Sequence, residues 1–348
     1  MIDIVHLLDD FAMGGVTRAL TLFDEPAITR LARSRVSPIQ PGVRLAPKID
    51  AEIIVDHIAI SWSRLSFLAS LRARNRKARI FHVEHSYTRG FEGHEVTSRA
   101  RFRIMIRIAA HMFEKIICVS DAQRAWFENE VGIAPERLDV IHPWTDRIDL
   151  FNLPPNEKRG HRPLHLLAYG RYAKVKNFAE LVVAMRSFRP SQVRLTLFGD
   201  GPQRDLLTAL ATDLPHVDVL GPLDDPSVLL ELCDAVIVPS RYESFGLVAT
   251  EARMAARALI AADVDGLPEQ AREGGHIAPL GDAQEIAEAI SWALDTNLAQ
   301  MGVAGRRSVK GHHTRILHQW TQLIRETEGA VPDTFSPKRK FAVGGAVT

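Results

Sequence analysis

Short β-branched and aliphatic runs recur along the whole chain, each closed by turn residues and followed by a longer stretch with helical spacing. They read "IDIVHLL", "EIIVDHIAI", "RIFHVEH", "KIICVS" and "LDVIHP", then "LHLLAYG", "VRLTLFGDG", "VDVLGP", "DAVIVPS", "ALIAAD" and "HIAPLG". Runs that are apolar at nearly every position need both faces covered, which parallel strands joined by crossover helices provide. The expected class is therefore α/β with parallel sheets. Between the fifth and sixth runs lies "TDRIDLFNLPPNEKRGHRP", polar, Pro-rich and without period, the composition of a linker. At 348 residues the chain can close two cores. The expected division is 1–155, 156–330, and a tail over 331–348 that mixes Pro, Gly and charge.

Hydrophobic residues at 46% and charged residues at 24% exclude a disordered or fibrous chain. Cys118 and Cys233 sit in or beside apolar runs far apart in sequence, as buried thiols of a reducing compartment do. The start, "MIDIVHLLDDF", lacks the basic segment and cleavage site of an export signal. No apolar run reaches the ~18 residues that a membrane span needs, so a cytoplasmic location is expected. The formal net charge of +1 conceals a basic stretch: residues 61–111 hold eleven Lys/Arg against Glu84, Glu92 and Glu95. Within it Arg99, Arg103 and Arg107 recur at a spacing of four beside Ile104, Ile108 and Met112. Such a helix either rests on an anionic membrane through 99–112 or is a solvated face over a core stripe. Nucleic acid is not expected, because no aromatic platform accompanies the charge.

In parallel sheets, ligands sit beyond the carboxyl ends of the strands, and unusual residues fall at four of these places. Arg171 and Lys176 follow "LHLLAYG"; Gly199 lies in "FGDGP"; Gly221 follows "VDVL"; and "SRYESFG" leads from an apolar run into a helix. Two nearby cations suit a diphosphate, taking up charge as a phosphate leaving group departs. The backbone N–H groups of Phe245, Gly246 and Leu247, at a helix amino terminus, form a second anion site. Glu251, one turn past Leu247, faces the same side and can accept hydrogen bonds from paired sugar hydroxyls. Glu243, in the loop before that helix, reaches the other side of the phosphates.

The order "YGRYAKVKN", "LTLFGDGPQRDLL", "VLGPL", "DAVIVPSRYESFGLVATEA" and "DGLPE" over roughly residues 164–290 resembles the donor half of retaining glycosyltransferases of family 4. It includes the E-x7-E signature carried by Glu243 and Glu251. The resemblance implies a GT-B fold: two Rossmann-like domains whose parallel sheets face a central cleft. It also implies a nucleotide diphosphate sugar as donor and a glycan or lipid-linked acceptor hydroxyl, with retention and a role in polysaccharide or glycolipid assembly. By the same comparison Arg171 and Lys176 bind the diphosphate and Glu251 the ribose, Glu243 and the backbone of 245–247 hold sugar and phosphate, and Gly221 lines the base pocket. Gly14 and Gly15, in "DDFAMGGVTRAL", match the family's glycine-rich loop, although Thr17 stands where an acidic residue is common. His85, in "FHVEHSYTRGFEG", matches a histidine near the transferred sugar. Arg253, Ala256 and Ala258 replace the usual Met, Gly and Pro, which bears on how the helix ends.

His82, Glu84, His85 and His94 match no established zinc spacing, so neither a metal nor a resident cofactor is expected. The resemblance implies that Arg171 and Lys176 take the place of a divalent ion. Two other readings are a non-hydrolysing nucleotide-sugar epimerase and a non-catalytic nucleotide-sugar-binding protein. A nicotinamide oxidoreductase is disfavoured, because no Gly-x-Gly-x-x-Gly opens a helix after a strand.

Overall fold

The computed structural model describes residues 1–9, 15–157, 160, 162–223 and 225–328. Among the described residues there are twelve parallel strands in two six-stranded sheets, and the eleven apolar runs supply all but one of them. The first sheet comprises β1 (Ile2–Leu8), β2 (Ala32–Pro38), β3 (Ile53–Asp56), β4 (Arg79–Glu84), β5 (Lys115–Cys118) and β6 (Leu138–Val140), in the order β2-β1-β3-β4-β5-β6. The second comprises β7 (Leu164–Tyr169), β8 (Val193–Phe198), β9 (Val217–Leu220), β10 (Ala235–Val238), β11 (Ala258–Ala262) and β12 (Gly275–Ala278), ordered β12-β11-β10-β7-β8-β9. Central strands are buried along their length, as β3, β10 and β11 show. That burial explains why they read as continuous apolar runs rather than alternating ones.

In each sheet the chain order reverses once, between β1 and β3 in the first and between β7 and β10 in the second. A reversal splays the following loops apart and opens a crevice at the strand ends. The loops carrying Arg171 and "SRYESFG" flank the second crevice.

The last helix, His312–Glu328, follows the second sheet in sequence but packs on the first. Its Ile316, Trp320, Leu323 and Ile324 join Ile2, Ile4, Leu22 and Phe23 in one buried cluster. Gln319 Nε2 donates to the Val140 carbonyl (2.9 Å) and His313 Nε2 to that of Thr145 (2.8 Å). The helix belongs by sequence to the expected 156–330 segment and packs its buried side chains on the first sheet. The expected tail, 331–348, lies outside the described residues. Cys118 and Cys233 are buried free thiols, and burial pushes both up, Cys233 to about 12.

Candidate functional site

At the second crevice the backbones of two strand ends nearly touch. Gly170 and Gly199 both take positive φ, 129° and 146°, and a Cβ on Gly199 would lie 1.9 Å from the Gly170 carbonyl oxygen. Gly199 therefore holds the loop that presents Arg171. The side chain of Arg171 is exposed and has no ion pair or hydrogen bond among the described residues. Lys176 Nζ lies 2.5 Å from Glu243 Oε2, which also accepts from Ser240 Oγ (3.1 Å). The two loops are joined by Arg241 N donating to the Val175 carbonyl (2.8 Å) and Arg241 Nε to Asn177 Oδ1 (3.1 Å).

Gly246, at φ 83°, precedes the helix Leu247–Met254. A Cβ there would come 2.9 Å from Leu267 Cδ2 and 3.1 Å from Glu243 Cγ. Gln270 Nε2 bonds the carbonyls of Phe245 and Gly246, which anchors the turn. Among the described residues the N–H groups of Phe245, Gly246 and Leu247 donate to nothing, as an anion site requires. The Phe245 side chain is not part of that site; it is buried against His142, ring centroids 4.9 Å apart. Gly221 is half-buried, and a Cβ there would meet the Arg204 guanidinium at 3.3 Å.

Glu251 lies deep, with its side chain 2% exposed, and both oxygens are engaged: Arg18 Nη1 donates at 2.9 Å and Tyr169 Oη at 2.7 Å. Burial and the adjacent carboxylate push the Tyr169 phenol well up, so it stays a donor. Arg18 comes from the first lobe. Any hydroxyl that reaches Glu251 must share or replace these donors.

The lobes are closed on each other. Asp265 accepts from Thr88 Oγ1 (2.7 Å) and Gly90 N (3.0 Å) of the first lobe and from Glu243 N (3.2 Å) of the second. Ser244 Oγ donates to the His85 carbonyl (2.6 Å), which places His85 beside the Ser-Phe-Gly turn. The His85 ring bonds His57 (3.0 Å), and burial lowers its pKa to about 4, so it is neutral. His82 is packed and bonded to Asp56 (3.1 Å) and Glu84 (3.2 Å). Burial alone would lower its pKa, but these carboxylates raise it to about 9. Both its nitrogens are engaged, so it is no metal ligand. One group among the described residues could hold a cation: Asp121, His142 and Glu269, whose ligand atoms lie within 4.8 Å of one another across the lobes. Gly15 opens the helix Gly15–Ala19, and Gly14 lies outside the described residues.

Of the three arginines at a spacing of four, one is paired within the protein. In the helix Arg99–Ala110, Arg103 is bound to Glu92 (2.5 Å) and Glu130 (2.8 Å), while Ile104 and Ile108 remain exposed. Among the described residues no helix is long and apolar enough to cross a membrane.

Two family models match adjacent parts of the chain: "Glycosyltransferase Family 4" over residues 15–147 and "Glycosyl transferases group 1" over 163–296. This chain belongs to glycosyltransferase family 4. Among curated family relatives, a D-inositol 3-phosphate glycosyltransferase 1 of Catenulispora acidiphila is 32% identical over 188 residues, 47% of this chain and 45% of that one. A D-inositol 3-phosphate glycosyltransferase of Mycobacterium tuberculosis H37Ra is 32% identical over 202 residues, 52% of this chain and 41% of that one. The chain thus matches less than half the length of these relatives. In fold, HepE of Anabaena in complex with UDP and glucose superposes with TM-score 0.75 at 18% identity, covering 94% of this chain and 100% of that one. Sucrose-phosphate synthase of Thermosynechococcus elongatus gives 0.71 at 21%, covering 94% and 99%. The architecture is GT-B, as the resemblance implied.

Arg18, Tyr169 and Asp265 carry no signal of a role in the sequence, although each lies in or beside a stretch that does. Each acts through a partner at least 82 positions away.

Proposed function

We propose that the protein transfers a glycosyl group from a nucleotide diphosphate sugar to an acceptor hydroxyl, with retention. One observation carries the reading: the Arg171 side chain and the N–H groups of a helix tip, unpartnered among the described residues, and the Lys176–Glu243 pair all follow β7 or β10, the two strands at the chain-order reversal. A diphosphate is the guest that answers two cations and a helix amino terminus together. Arg171 and Lys176 then stabilise the charge on the departing diphosphate, Glu243 orients Lys176 and the sugar, and Glu251 takes the ribose. The UDP and glucose in the HepE complex support a uridine donor. The inositol-phosphate relatives support a polar, hydroxyl-rich acceptor. Ile104 and Ile108, exposed beside Arg101 and Arg107, support peripheral contact with an anionic membrane.

The test is calorimetry or thermal shift with UDP-, GDP- and ADP-sugars, repeated with Glu251→Ala and Lys176→Ala. At least a tenfold loss of affinity for the best donor is expected from each, since each removes a charge-assisted hydrogen bond of roughly 1.5–3 kcal/mol. Unchanged affinity in both variants rejects the donor site.

A further inference from the structure

Three imidazoles lie end to end across neighbouring strands of the first sheet, at its own chain-order reversal. His6 is on β1, His57 directly follows β3 and His85 directly follows β4. His6 Nδ1 is 2.9 Å from His57 Nε2, and His57 Nδ1 is 3.0 Å from His85 Nε2. Burial keeps all three neutral, lowering His6 to about 3, His85 to about 4, and His57 well below its ordinary value.

A neutral imidazole carries one N–H and one bare nitrogen. Two nitrogen–nitrogen hydrogen bonds in a row therefore force the protons to point the same way along it, and only two arrangements exist. They differ at the far end. Among the described residues His6 Nε2 is buried without a partner, in a ring whose centroid lies 4.2 Å from that of Phe23. With the protons running one way, His6 Nε2 is a buried N–H with no acceptor, a defect that folded proteins rarely tolerate. With them running the other way, it is only a bare lone pair. The second arrangement places a proton on Nδ1 of every ring.

We infer that this row fixes His85 as an Nδ1–H donor at the interlobe seam, with His6 and His57 as positioning residues that set its tautomer. Nδ1 is the His85 ring nitrogen left over, without a partner among the described residues. It offers a hydrogen bond to an oxygen lone pair of the guest. It cannot take the proton of the acceptor hydroxyl, because it already holds one. The role toward a guest rests on the transferase reading above; the tautomer does not.

The experiment is long-range proton–nitrogen correlation NMR of the full chain labelled with nitrogen-15 in histidine, with single substitutions assigning the rings among the fourteen histidines. His6, His57 and His85 are expected in the Nδ1–H form. An Nε2–H tautomer for His85 in the unsubstituted protein overturns the inference, whether or not any variant folds. In folded His57→Phe, His85 is expected to shift toward Nε2–H; retention of Nδ1–H shows that the row does not set it. In transfer assays His57→Phe should lower kcat roughly tenfold at unchanged donor KM, with His57→Gln restoring part of it. Equal kcat in the folded Phe variant counts against the positioning role. The NMR needs no turnover, so the tautomer is decided even if the protein transfers no sugar.

Discussion

Ala256 takes φ 53°, a left-handed conformation that side chains with a Cβ resist. It ends the helix Leu247–Met254 in a Schellman arrangement: Arg257 N bonds the Ala252 carbonyl (2.9 Å) and Ala256 N that of Arg253 (3.0 Å). This is the position where the family resemblance has glycine. Ala256→Gly should therefore stabilise the protein by about 0.5–1 kcal/mol, left-handed strain relieved less the extra entropy of glycine in the unfolded chain; urea denaturation measures it. His82 gives a pH-dependent counterpart. Its pKa rises from 6.5 to about 9 on folding, so its contribution is complete below pH 6.5 and is lost as pH climbs through about 9. Unfolding free energy should fall by on the order of 3 kcal/mol between those limits, and His82→Gln should flatten that decline. At this scale the sequence was legible where a residue directly follows a strand end. Lys176, Glu243 and Gly246 share one strand-end crevice, and their spacing pointed there. Arg18 on Glu251 and Asp265 on Gly90 span 233 and 175 positions, and no local pattern encodes them.

Among the elements, the buried strands could be read because parallel pairing covers both their faces and selects unbroken apolar runs. β2 could not. It is an edge strand of sequence "ARSRVSP", buried only at Ala32, and it holds its place by pairing in register with β1 from Ile2↔Ala32 to Leu8↔Pro38. Polar, charged edge strands protect a sheet from further pairing, and the same chemistry removes the signal that would reveal them. The closing helix, His312–Glu328, shows its apolar stripe plainly, but a stripe does not say which sheet it covers. Trp320 settles the matter, 6% exposed with its ring centroid 5.0 Å from that of Phe23. Trp320→Ala should cost ~3–5 kcal/mol, the usual range for emptying a buried aromatic site. Hydrogen exchange should show the loss around β1 and the Leu22–Phe23 segment, with β7 to β12 keeping their protection. Equal deprotection of both sheets would mean that the helix does not belong to the first core.

For the molecule as a whole, the closed arrangement depends on close approach at one glycine. Gly90 sits in the first turn of the helix Arg89–Glu95, without positive φ, so a side chain there strains nothing within its own lobe. Across the seam, a Cβ at 90 would lie 2.6 Å from both Asp265 Oδ2 and Tyr242 Cβ. Neither can retreat freely. Asp265 is held by Thr88 and by the Glu243 amide, and the Tyr242 ring packs on Phe91, centroids 5.7 Å apart. The conflict is therefore relieved by separating the lobes. Overpacking of this kind costs about 1–3 kcal/mol, which shifts an open–closed equilibrium roughly 5- to 150-fold. Gly90→Ala should enlarge the radius of gyration in small-angle scattering while the denaturation midpoint of each core stays in place. On the proposed transferase reading, the donor groups Arg171, Lys176 and Glu243 lie in the second lobe and His85 in the first, so donor affinity should fall far less than turnover. Scattering curves that superimpose on those of the unsubstituted protein would show that the seam at Gly90 does not govern closure.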